Sequence, residues 1–156
     1  SLYDVLYIRD IVERNGIRDT GNLEELIDVL SSAIGSLVNP SKISATFRSE
    51  KNTTIAPETV DRYLSHLEDA FLVSRAKRYD LKGRRYIGTP FKLYFSDLGL
   101  RNARMNFRQM EGSHIMENVI YNELRGRDFG VDVGVVPTGV RGKDGKVCRT
   151  QLEVDF

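Results

Sequence analysis

Three carboxylates in this chain are spaced so that they could share one cation. Glu117 falls in a stretch with helical periodicity, whereas Glu153 and Asp155 are two apart in an alternating run and so share one face of a strand. If that helix and strand pack as adjacent layers, the three groups converge, and carboxylates gathered in this way hold Mg²⁺ for phosphodiester hydrolysis. The same residues also read as a solvated acidic face, because charged side chains are usually exposed.

A second kind of chemistry lies in a cationic band. Between Ser74 and Lys92 stand Arg75, Lys77, Arg78, Lys82, Arg84, Arg85 and Lys92 against the single acid Asp80, a local balance of +6 in a chain whose formal total is +1. The residues before Ser74 are net acidic and those after Lys92 are neutral in sum. Cations clustered on a hairpin suit a nucleic-acid backbone, since each phosphate neutralised releases counterions. A hairpin edge protected from aggregation by lysine and arginine is the plainer alternative. Lys42, Arg48 and Lys51, on and just after a short helix, would extend such a surface. The helix that starts at Pro57 would be the reading helix of a DNA-binding unit, yet Glu58, Asp61, Glu68 and Asp69 outnumber Arg62 there. Carboxylates repel phosphates, so base-specific readout does not fit.

Other chemistries are excluded or weak. No Gly-x-x-x-x-Gly-Lys-Ser/Thr loop is present, so these residues do not make a P-loop ATPase by themselves. His66 and His114 stand far apart without ligand spacing, and helix surface and helix entry are their expected places. One cysteine, Cys148, excludes an intrachain disulfide framework and a multi-thiolate zinc site; its alternation puts it on an apolar strand face. No apolar run reaches the roughly 18 to 20 residues of a membrane span, and no signal-peptide pattern opens the chain, so we expect a cytoplasmic protein. With 40% hydrophobic and 29% charged residues in 156, the chain can build a packed core of one ordinary domain or two small ones. Ser1 in place of a starting methionine, and Phe156 inside a strand-like alternation, lead us to expect a piece of a longer protein.

The elements that must position these groups follow from periodicity. Leu2 to Asn15 reads as a helix closed by Asn15-Gly16. Asn22 with Glu25 suggests a cap for a second helix, whose stripe is Leu23, Leu26, Ile27, Leu30, Ile34 and Leu37. Asn39-Pro40 opens a short helix carrying Ile43 and Phe47, and Pro57 opens another that buries Val60, Tyr63, Leu64, Leu67, Ala70 and Phe71. Leu72 to Tyr79 and a run ending Phe91 to Phe95 read as a hairpin with a long loop turning around Asp80 to Gly83. Helices followed by a two-stranded hairpin make a winged helix. Gly112-Ser113 then begins a helix to about Asp128 with Ile115, Met116, Val119, Ile120 and Leu124 inward, followed by strands Val131 to Val136 and Val147 to Phe156 around a Gly142–Gly145 turn. The return strand is expected to expose an unpaired edge and the apolar face of Leu152, Val154 and Phe156.

Several segments in this order resemble the C-terminal region of a large family of bacterial and archaeal AAA-type ATPases, a tail catalogued as a domain of unknown function. They include Tyr7 to Asn15, Ile43-Ser44, Glu58-Thr59-Val60 with Tyr63-Leu64, Leu67 to Leu72, Arg78-Tyr79-Asp80, Lys92 to Arg101, Glu117 to Leu124, and Leu152 to Phe156, and they cover nearly the whole chain. The resemblance implies an N-terminal P-loop ATPase domain outside these residues, with ATP and Mg²⁺ as its cofactors and none for the present segment. It implies a winged helix and a domain similar to the PD-(D/E)XK nucleases, in which Glu117 looks like the helix acid and Asp155 like the strand acid. The acidic-x-Lys strand of that site is not reached before Phe156.

The expected fold is therefore α+β: a helical linker over 1–21, a winged helix over 22–101, and a truncated nuclease-like α/β piece over 102–156. The expected function is backbone binding to nucleic acid by the winged helix, beside an incomplete nuclease-like site. The alternative is a protein-docking or oligomerisation platform that touches no nucleic acid; a metal-dependent nuclease in the intact parent is the third reading. DNA, the parent's ATPase domain and a second copy of the chain are the expected partners, and a membrane is not.

Overall fold

A computed structural model describes residues 2–50, 53–108, 111–141 and 147–155, and the fold is α+β. Helix α1 (Leu2–Asn15) stops where Gly16 turns left-handed at φ +60, and Ile17 N–H donates to Val12 C=O in a 6→1 closure. Helix α2 (Thr20–Ser32) is capped by Asp19, whose Oδ1 accepts from Asn22 N–H at 3.0 Å, so the helix starts ahead of the expected Asn22 cap. A carboxylate at that position also favours the positive end of the helix dipole. Helix α3 (Pro40–Glu50) opens as expected, with Asn39 Oδ1 accepting from Lys42 N–H at 2.7 Å. Helix α4 (Pro57–Asp69) buries Val60, Tyr63, Leu64 and Leu67.

Phe71 departs from the expected stripe and is 82% exposed. It occupies the left-handed position of a helix-terminating turn at φ +57, with Leu72 N–H closing onto Leu67 C=O and the Leu72 side chain taking the buried place. A β-carbon in that conformation is strained, and glycine is the usual occupant. Phe71→Gly is therefore expected to raise the stability by about 0.5 to 1 kcal/mol, read as a higher urea midpoint; a lower midpoint would show that the ring has a packing role.

Strands β1 (Val73–Asp80) and β2 (Arg85–Phe95) are antiparallel, joined by a four-residue turn that is shorter than the periodicity suggests. Asp80 Oδ1 closes it by accepting from Lys82 N–H and Gly83 N–H. Helix α5 (Leu98–Arg104), capped by Asp97, is too short to show a period in sequence. It docks on α2 through buried Arg101, whose Nε donates to Ser31 C=O at 2.8 Å, and through the Arg104–Asp28 ion pair. Helix α6 (Gly112–Gly126) leads to β3 (Val133–Arg141) and β4 (Val147–Val154). The expected 142–145 turn, Phe156 and the Cys148 side chain lie outside the described residues.

All four strands form one sheet in the order β2-β1-β3-β4, in which β1 and β3 are parallel and Asp80 registers with Val135. The first hairpin is thus one side of a larger sheet, with β2 at an edge and β1 joined to β3. One of its faces sends Phe91, Leu93, Phe95 and Val73 into the core built by α1 to α4, and the other sends Ala76 and Tyr94 against Tyr121, Val131 and Val133. Strand β4 is an edge strand, with Leu152 and Val154 exposed as expected.

Helix α6 departs from the expected amphipathicity, although Leu124 packs on the core as expected and Ile115 is half-buried. Met116, Val119 and Ile120 are exposed, while Asn118 and Tyr121 are buried and Glu117 faces the sheet. The reason is hydrogen-bonding capacity: Asn118 Oδ1 accepts from Phe95 N–H and its Nδ2 donates to Phe95 C=O, both at 2.8 Å, so the side chain acts as a strand partner for β2. Asn122 Nδ2 adds bonds to Phe95 and Ser96 carbonyls.

Candidate functional site

The polar groups on the α6-facing side of the sheet converge on one ammonium. Between Phe91 and Phe95 both strand faces are buried, so alternation carries Lys92 and Tyr94 away from the helical core and toward α6. Lys92 registers with Ala76, whose small side chain leaves room for the lysine stem. Its Nζ lies 2.9 Å from Glu117 Oε1, 3.1 Å from Glu153 Oε1 and 2.7 Å from Asp155 Oδ1. Tyr94 donates its hydroxyl to the same Glu117 oxygen and stacks on Tyr121 with centroids 4.2 Å apart.

The side-chain exposures rise outward from this centre, from 6% for Lys92 and 12% for Glu117 to 30% for Glu153 and 57% for Asp155. Burial works to lower the Lys92 pKa, but hydrogen bonds with Asp155, Glu117 and Glu153 outweigh it and hold the ammonium above the ordinary lysine range. Burial, then the bond to Glu117, raises the Tyr94 phenol far above its usual value, so it stays a neutral donor. Burial likewise raises Tyr121. Glu117, Glu153 and Asp155 thus all lie around one point, and Lys92 occupies it.

The cationic band is divided by the fold. Arg75 faces α4, where it bonds Asp61 at 2.7 Å and Glu68 at 2.8 Å, so part of the acidic surface of that helix is neutralised internally. Burial lowers the Arg75 pKa, but the two carboxylates raise it further, so it remains charged. A bulge between Ala76 and Arg78 leaves Lys77 exposed and keeps Arg78 buried, with its Nη2 on Gln151 Oε1 and its Nε unpartnered. Lys82, Arg84 and Arg85 remain exposed at the β1–β2 turn, where Lys82 Nζ donates to Pro137 C=O and Arg85 approaches Asp80 at 3.8 Å. Lys42 and Arg48 are exposed on α3, a separate element; Lys51 lies outside the described residues.

Parallel pairing of β1 and β3 has a consequence for that turn. It brings the β1–β2 turn and the far end of the β3–β4 ladder to the same end of the sheet, where the register positions of Arg141 and Arg149 lie opposite Val147 and Gly139. This end is reachable only through tertiary pairing. Lys92, read from sequence as part of the cationic band, is buried, and Tyr94 and Asn118 were missing from the sequence-based candidates, although one signal was there: a lysine alternating with tyrosine inside Phe91 to Phe95, a strand apolar on its other face.

Residues 1–111 match the family described as Domain of unknown function (DUF8612). The chain belongs to that family. The matched region carries Lys92, Tyr94 and the basic turn, while Glu117, Glu153 and Asp155 lie beyond it. An uncharacterized protein of Haemophilus influenzae is 39% identical over 134 residues, which is 86% of this chain and 33% of that protein. Uncharacterized protein MJ1544 of Methanocaldococcus jannaschii is 32% identical over 126 residues, 81% of this chain and 27% of that protein. The chain therefore spans about a third or less of the length of these curated relatives. Among the described residues no helix is long and apolar enough to cross a membrane.

Proposed function

We propose that this DUF8612 chain is the C-terminal module of an AAA-type P-loop ATPase and that it engages the backbone of nucleic acid through the turn end of its sheet. The observation that carries the binding reading is the exposed trio Lys82, Arg84 and Arg85 at the β1–β2 turn. Such a surface binds phosphates without reading bases, in keeping with the acidic character of α4. The helices with the first hairpin serve as the winged helix and α6 with the second hairpin as the nuclease-like part, joined through β1 and β3. The ATP- and Mg²⁺-binding domain belongs to the remaining length that the relatives have outside the match.

Titration of a DNA duplex against salt tests this. Replacing Lys82, Arg84 and Arg85 together with alanine is expected to flatten the slope of log affinity against log salt by about 2 to 3, whereas Lys42→Ala changes it by no more than about 1. An unchanged affinity in the triple variant removes the turn from any polyanion surface.

A second reading is favoured by one observation, the exposed row Met116, Val119 and Ile120 on α6. A contiguous apolar helix face suits a protein partner or another copy of the chain. Light scattering separates the two readings: a docking platform gives a defined complex that Val119→Lys breaks, and no salt-dependent DNA binding.

A further inference from the structure

We infer that Lys92 is the resident cation of the Glu117–Glu153–Asp155 cluster, an internal substitute for a divalent metal that ties α6 and β4 to β2 and keeps metal out. Lys92 holds this place whether or not the chain binds nucleic acid. Three carboxylate oxygens from two separate segments surround Nζ within 3.1 Å, so the ammonium takes the central place among them, and among the described residues no group of acids is set to hold a metal ion with Lys92 there. The ammonium is the most buried of the four charged groups and the one that all three others contact; Asp155 and Glu153 lie on its solvent side. For a metal to enter, this ammonium, itself 6% exposed, must leave three acceptors, and its hydrogen bonds resist that. Without Lys92 the three carboxylates repel one another and lack a counter-charge, so a divalent or trivalent cation becomes their best partner.

The consequence is specific to chemistry. Glu117 and Asp155 do not serve as metal ligands while Lys92 is in place, and their part in the native chain is to hold the two halves of the sheet and α6 together. Tyr94 supports the same state, since its hydroxyl satisfies the Glu117 oxygen that Lys92 also bonds.

Tb³⁺ tests the inference directly, because the chain has no tryptophan and Tyr94, which bonds Glu117, sensitises the emission of an ion bound there. Lys92→Met is expected to bind Tb³⁺ at least about tenfold more tightly than the native chain, and Lys92→Arg, which keeps the charge, to stay near native. In Lys92→Met/Glu117→Gln the gain is lost. If Lys92→Met is unfolded without metal, millimolar Mn²⁺ is expected to restore its far-ultraviolet dichroism and thermal transition while leaving the native midpoint unmoved. The inference is overturned by tight Tb³⁺ binding to the native chain, by a folded Lys92→Met that gains none, by a gain that survives loss of Glu117 or appears equally in Lys92→Arg, or by an unfolded Lys92→Met that Mn²⁺ does not rescue.

Discussion

Lys92→Met, in metal-free buffer at pH 7, is expected to lose about 3 to 5 kcal/mol of folding stability, read from the urea midpoint. Removing one member of a buried charged group leaves the others uncompensated, and Glu117 is the carboxylate most enclosed here, 12% exposed beside a lysine that is 6% exposed. Asp155, at 57%, is screened by water, so Asp155→Asn is expected to change stability by about 1 kcal/mol or less. A double-mutant cycle between Lys92 and Glu117 therefore returns the larger coupling, and equal couplings for Glu117 and Asp155 would contradict the graded burial. The pH dependence has a definite sign. Lys92 is raised above its unfolded value, so its contribution is complete below that value, about 10.4, and is lost only as pH climbs through the still higher folded value. The gap between native and Lys92→Met midpoints should hold steady from pH 7 to about 9.5 and narrow only above about 10.5; narrowing near pH 8 would show that the ammonium is not held by these carboxylates.

Asn118→Leu is expected to lower stability by about 2 to 4 kcal/mol. Leucine matches the volume but leaves the Phe95 N–H, deep between β2 and α6, without its partner, and removes one of the donors to Phe95 C=O. Asn118→Asp keeps the acceptor and loses the donor while burying a charge, so its loss is at least as large. Asn122→Ala, at a partly exposed position whose acceptor Phe95 C=O keeps its bond from Asn118, falls to about 1 kcal/mol. Amide exchange reports the mechanism: the Phe95 amide, slow in the native chain, speeds up in Asn118→Leu before global unfolding. If that amide is unaffected and the midpoint moves by less than about 0.5 kcal/mol, α6 is not held by this amide pair.

These two residues also show where sequence reading succeeds and where it stops. Helix starts at Pro40 and Pro57, the stop at Asn15-Gly16, the stripes Leu23 to Leu30 of α2 and Val60 to Leu67 of α4 and the two-residue spacing of Glu153 and Asp155 were legible, because each depends on local backbone geometry or on a period that neighbours reveal, whereas Phe71 left its stripe at the helix end. The inward side of α6 was not legible, because Met116, Val119 and Ile120 point outward and its asparagine, glutamate and tyrosine are drawn in by the backbone and side chains of a strand about 25 residues away. Likewise the cationic band was visible as composition, but composition does not distinguish Arg75, spent on Asp61 and Glu68, from Arg84, which is exposed.

The sequence by itself determined the α+β character, most element boundaries and which residues carry charge. Only the tertiary structure decided that both hairpins share a sheet, that the basic turn meets the end of β3–β4, and that Lys92 sits among three carboxylates. Local propensity is written in adjacent residues, whereas the partner of a buried charge is chosen by strand order and layer packing, which bring together Lys92 and Asp155, 63 residues apart, and Arg78 and Gln151, 73 apart.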